Sequence, residues 1–173
     1  MKKQLLVLVL AISCLYSGVS RAALISVLPQ QSQITKGQDL VVDIVVSDLG
    51  AGIAKSVGAF DLNLSFNTDL LSYNSIRFGN QLDIFGFGNG FGSLQYSAGD
   101  GVHGVNFGEL SLYSAKQLNE LQQSSFLLAS LTLTSLAAGS SDLSLAILSL
   151  ADAEGQALSS QIADTNINIQ AVP

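Results

Sequence analysis

The chain has 173 residues, with seven basic and 13 acidic side chains, one histidine, one cysteine and no tryptophan. That length suits one domain that buries roughly two-thirds of its unfolded surface without a disulfide or metal staple. A lone cysteine excludes an internal disulfide, and the acidic balance excludes a phosphate backbone as partner, because like charges repel.

The first residues read as a leader. Lys2 and Lys3 precede an apolar run, Leu5 to Ile12, and Ser20-Arg21-Ala22 sets small residues at the −3 and −1 positions of a cut after Ala22. Residues 1–22 are therefore read as a signal peptide and 23–173 as a single mature domain, secreted or held at the cell surface. The run falls short of the roughly 20 residues that span a bilayer, so no stable membrane span is expected in the mature chain. A second reading stays open: Ala11-Ile12-Ser13-Cys14 is similar to a lipoprotein box, with Cys14 lipidated. Loss of the leader removes three of the seven basic residues, leaving four against 13 acidic ones and a net charge of −9.

Beyond the leader, apolar residues recur with a period of two, which predicts half-buried strands. Leu40, Val42, Ile44 and Val46 share one face, with Asp43 and Ser47 on the other. Phe60, Leu62, Leu64 and Phe66 alternate with Asp61, Asn63 and Ser65. Further runs are Leu127 to Thr134, Leu143 to Ile147 and Asn166 to Gln170. Weaker alternation marks Leu24 to Leu28, Leu71 to Phe78, Leu94 to Ala98 and Val102 to Phe107. Turns are predicted at Lys36 to Asp39, Asp48 to Gly52, Gly99 to Gly101 and Gly139 to Asp142. Ser114-Ala115-Lys116-Gln117 is a capping box, and Leu118 and Leu121 behind it predict one short helix. About nine strands with one apolar face each pair into an all-β sandwich.

The catalytic inventory is poor. His103, the one histidine, shares strand parity with Val105 and Phe107, and no Gly-x-Ser-x-Gly elbow precedes a helix, so it reads as a rim or structural histidine. A glycosidase needs two facing carboxylates. Glu109 ends a strand, Glu120 rides a helix and Glu154 lies in a turn, so each reads as solvated surface charge. Asp152-Ala153-Glu154-Gly155 lacks the spacing of a calcium loop, and one histidine without a mature cysteine cannot make a zinc site. No catalytic residue, metal ligand or cofactor is expected.

Phe85-Gly86-Phe87-Gly88-Asn89-Gly90-Phe91-Gly92 stands apart. Its glycines lack the Lys-Ser/Thr of a phosphate loop. Phe85, Phe87 and Phe91, with Asn89 among them, form either an exposed apolar lip that contacts a partner or a cap that tucks its rings onto the core. Asp61 and Asn63, with Ser65, Asp43 and Ser47, are expected to offer polar contacts on a sheet face.

The sequence resembles the cohesin-like family, in the version found in exported bacterial proteins that carry a PEP-type C-terminal sorting tail. The likeness rests on Gly37 to Ser47, Val57 to Asn67, Asp69-Leu70-Leu71-Ser72 with Phe78-Gly79, Ser125 to Leu133 and Ala138-Gly139-Ser140-Ser141. It implies a nine-stranded jelly-roll sandwich related to cellulose-binding modules. It also implies a non-catalytic role in which one exposed sheet face holds a protein partner, dockerin-like or of the surface or matrix. The sorting tail would continue past Val172-Pro173. The alternative is a carbohydrate-binding module with polysaccharide as partner. Sugar platforms favour broad aromatic faces, and the mature chain has only Tyr73, Tyr96 and Tyr113 beside its phenylalanines.

Overall fold

The computed structural model describes residues 22–50, 56–99 and 103–172. In chain order the strands are β1 (Ala23–Pro29), β2 (Gln33–Thr35), β3 (Asp39–Ser47), β4 (Ala59–Ser65), β5 (Leu71–Phe78), β6 (Ser93–Gly99) and β7 (Gly104–Ser111). Helix α1 (Ala115–Leu121) follows, then β8 (Phe126–Ser135), β9 (Gly139–Ala151), β10 (Ser160–Ala163) and β11 (Thr165–Gln170).

The strands form two sheets, ordered β10-β1-β3-β8-β5 and β2-β11-β9-β4-β7-β6. The chain's first and last strands close the jelly roll, because β1 pairs with β10 and β2 with β11, both in parallel. The predicted alternation places the core. Leu40, Val42, Ile44 and Val46 of β3 face Leu62 and Leu64 of β4 across the sandwich interior, all at 1% exposure or less. Phe107 is fully buried, its ring edge-on to Phe60 at 6.3 Å.

The predicted capping box forms: Ser114 Oγ accepts from Gln117 N at 3.4 Å, and Gln117 Oε1 accepts from Ser114 N at 3.0 Å. The helix is tied to the segment before β4, where Gln122 Oε1 accepts from Val57 N at 2.6 Å and Ser56 Oγ donates to Asn119 Oδ1 at 2.6 Å.

Eleven strands stand among the described residues, against nine expected. The two additions, β2 and β10, have three and four residues, too few to display an alternation. Gly139 to Asp142 opens the 13-residue β9 rather than forming a turn, because β11 pairs with it from Gly139 onward. Residues 1–21 of the leader, with Cys14 among them, Asp100-Gly101 and Ala51-Gly52 fall outside the described residues. Among those described, no helix is long and apolar enough to cross a membrane.

Candidate functional site

The loop between β5 and β6 is built around Asp83, which is 8% exposed. Its Oδ1 accepts from Phe87 N at 3.0 Å and from the Tyr113 hydroxyl at 3.1 Å, and its Oδ2 accepts from Gly88 N at 2.7 Å. Gly86, Gly88 and Gly90 hold φ of 68°, 83° and 88°, where a side chain would be strained, so the alternating glycines let the chain wrap the carboxylate. Gly92 is required for a different reason. A Cβ there would collide with Asp83 Oδ1.

This wrapping turns the rings outward. Phe85, Phe87 and Phe91 are 52%, 62% and 81% exposed. Phe85 packs edge-on against Tyr113 with ring centroids 5.3 Å apart, and Phe87 lies 5.9 Å from Phe85. The three phenylalanines are absent from the buried core cluster, so they form a lip rather than a cap. Asn89 points elsewhere. Its side chain accepts from Gln95 N at 2.9 Å and donates to Gln95 O at 3.3 Å, as a neighbouring strand would, and so covers the free edge of β6.

The lip continues onto a sheet face. Leu94 of β6 lies directly opposite Leu110 of β7, and both side chains are nearly half exposed. Leu112 N donates to Gly92 O at 3.0 Å, which carries the ladder on to the lip and sets a third exposed leucine beside it. Further along the same outer face, Tyr96 lies over Gly108, and Gly108 pairs with Asp61 of β4. Asn106 donates from Nδ2 to Asp61 Oδ1 at 2.8 Å, and Asn63 pairs with Asn106 and donates to Ser65 Oγ at 3.2 Å. Burial against the sheet, then the hydrogen bond and charge of Asp61, push the Tyr96 phenol up to about 12.

Two expectations are corrected. Asp43 and Ser47 do not share a face with Asp61, Asn63 and Ser65, because β3 and β4 belong to opposite sheets. Asp43 instead bonds Ser130 and Gln30 on the five-stranded sheet. Glu109 is not surface charge. It is 2% exposed, because it shares the inward parity of Val105 and Phe107, and that parity was the signal for its burial. Its Oε1 accepts from Gln95 Nε2 at 2.7 Å, and among the described residues its Oε2 has no partner.

Glu120 and Glu154 do lie at the surface, the first beside Lys116 at 3.9 Å and the second accepting from Asn119 at 2.7 Å. His103 is exposed just before β7. Asp152 Oδ1 is spent on the amides of Glu154 and Gln156, at 3.0 and 2.7 Å, as in an ordinary polar turn. Among the described residues, no three His, Cys, Asp or Glu side chains gather where they could hold a metal ion.

No family model matches the chain, and no curated protein matches it. Solved structures do. A non-cellulosomal cohesin from the archaeon Archaeoglobus fulgidus superposes with a TM-score of 0.63 at 16% identity, over 87% of this chain and 92% of that one. A type II cohesin domain from the cellulosome of Acetivibrio cellulolyticus gives 0.66 at 12% identity, over 86% and 96%. The sixth cohesin of the Acetivibrio cellulolyticus scaffoldin B, solved in complex with a Cel5 dockerin, gives 0.65 at 12% identity, over 87% and 100%. The two sheets, the closing pairs of terminal strands and these superpositions together establish that the chain has the cohesin fold.

Proposed function

We propose that the mature domain is an exported, non-catalytic module that docks a protein partner, dockerin-like or of the cell surface or matrix. The outer face of β6, β7 and β4, together with the phenylalanine lip, is the contact. The observation that carries this reading is the exposed Leu94–Leu110 pair beside the lip. A soluble sandwich normally turns polar side chains outward at such positions, and contiguous exposed apolar area marks a binding surface. The dockerin held by the scaffoldin cohesin supports a protein partner of that kind. With 13 acidic residues in the chain, a partner with a basic rim around an apolar centre is the complementary one.

A second reading, polysaccharide binding, is favoured by two tyrosines. Tyr96 offers an exposed ring lying along the sheet, and Tyr73 lines a cleft of about 270 Å³ with Phe66, Thr68, Ser72 and Leu136. Sugar rings stack on such faces.

Capture experiments with immobilised mature domain separate the two. The native secretome is passed over it alongside a polysaccharide panel, with Leu110→Asp as the control. Retention of one protein by the wild type and not by the variant is expected. Retention of a glycan and no protein would replace the first reading with the second.

A further inference from the structure

Glu109 is a buried carboxyl that the docking reading does not use. The proposed contact is the outer face of the six-stranded sheet, whereas Glu109 points inward, 2% exposed, with Oε2 unpartnered among the described residues. An unpaired buried oxygen is costly when charged and far less so when it carries a proton. Among the described residues, the groups that act on it bring no positive charge. From β6 come Ser93 and the amide of Gln95, from β4 comes Phe60 directly opposite, and from the β5–β6 loop comes the carboxylate of Asp83. Tyr113 adds a phenol that donates to Asp83 and titrates only in the alkaline range.

These same groups hold the lip. Asp83 is the acceptor for Phe87 N and Gly88 N. Gln95, which donates to Glu109, has its backbone clamped by Asn89, and Ser93 O accepts from Gly90 N at 2.6 Å. The loop is thus fastened at two points to the polar cluster that contains Glu109.

We propose that Glu109 is a proton-operated latch for the phenylalanine lip: protonated, it seats the loop, and ionised, it sets a second buried negative charge beside Asp83 and loosens it. This deepens the docking reading by giving the same surface a regulator. Burial raises the Glu109 carboxyl above the usual carboxylate value, the bonds from Ser93 and Gln95 pull it back, and the charge of Asp83 raises it again. In the unfolded chain the group loses its proton at the ordinary value, near 4.5. Between that value and the raised native one, the folded state holds a proton that the unfolded state has lost. Stability therefore falls as pH rises through this window and is level above it.

The test is run on the free domain, so its failure is separate from any failure to find a partner. The Glu109 carboxyl is titrated by carbon-detected NMR, and the exchange protection of the Phe87 and Gly88 amides is followed from pH 4 to 8. The wild type should titrate above the ordinary glutamate value and lose protection by up to about tenfold per pH unit within the window. Glu109→Gln should make protection independent of pH there. Gln95→Leu, which removes the amide donor to Oε1, should move the window to higher pH. A carboxyl that titrates at or below the ordinary value would overturn the latch, as would the same pH dependence in Glu109→Gln.

Discussion

Gly92 leaves open the space that the carboxylate of Asp83 fills, and a methyl group at position 92 would collide with Asp83 Oδ1. The two residues lie nine positions apart within the loop, and their fit decides whether the rings of Phe85 and Phe87 stand up from the sandwich. Gly92→Ala must displace Asp83 and strand the amides of Phe87 and Gly88. A loss of about 1–3 kcal/mol is expected, read from the denaturant midpoint. Asp83→Ala should cost a similar amount through the same two amides, and the two losses should not add in the double variant.

The outer face should separate association from stability. Leu94 and Leu110 are nearly half exposed and pack into no core. Replacing either with Asp should change stability by no more than about 0.5 kcal/mol. The same changes place charge at the centre of the apolar contact and should weaken a captured partner by tenfold or more, roughly 1.4 kcal/mol. Calorimetric titration beside thermal unfolding reads both quantities. Equal loss of stability and binding would mean that the two leucines act on the fold instead.

Core substitutions should show the opposite pattern. Phe107 is fully buried against Phe60 and Phe78 lies beyond it. Phe107→Ala should cost about 3–5 kcal/mol, the range for a large ring deleted from a packed core, and lower the melting temperature accordingly.

Alkali offers a separate probe of the Tyr96–Asp61 contact. The unfolded phenol releases its proton near pH 10, and the folded one near about 12. Above pH 10 the native state keeps a proton that the unfolded state has lost, so stability falls as pH rises toward 12. Spectrophotometric titration should show late ionisation that loses one tyrosine's amplitude in Tyr96→Phe, with that of Tyr113 remaining, and a Tyr96 step that shifts toward the ordinary value in Asp61→Asn.

Much of this architecture was legible because burial and alternation coincide. In β3 and β4 every second residue is apolar and every one of those is buried, so periodicity alone placed them. In β6 the pattern is weak for a physical reason. Its inward positions carry Gln95 and Ser97, whereas Leu94 and Tyr96 face solvent, so alternation is present with the expected faces exchanged. The glycine and phenylalanine spacing singled out the segment but left lip and cap open, and it did not show what holds the rings up. Asp83 follows Leu82 in an aperiodic segment, and its partners Gly92 and Tyr113 are brought to it only by the pairing of β6 with β7. Asn89 could not be assigned to the edge of β6 for the same reason.

The parallel pairing of the terminal strands has a mechanical consequence. Because β1 runs alongside β10 and β2 alongside β11 in the same direction, opposite ends of each pair lead toward the two chain ends. Tension applied between those ends therefore loads the ladder bonds in shear, many at once. Ser93 and Ser111 sit opposite each other at one end of the antiparallel β6–β7 ladder, and tension between them would open the bonds one after another. Single-molecule stretching should find the domain strong when pulled by its termini and weak when pulled from that pair.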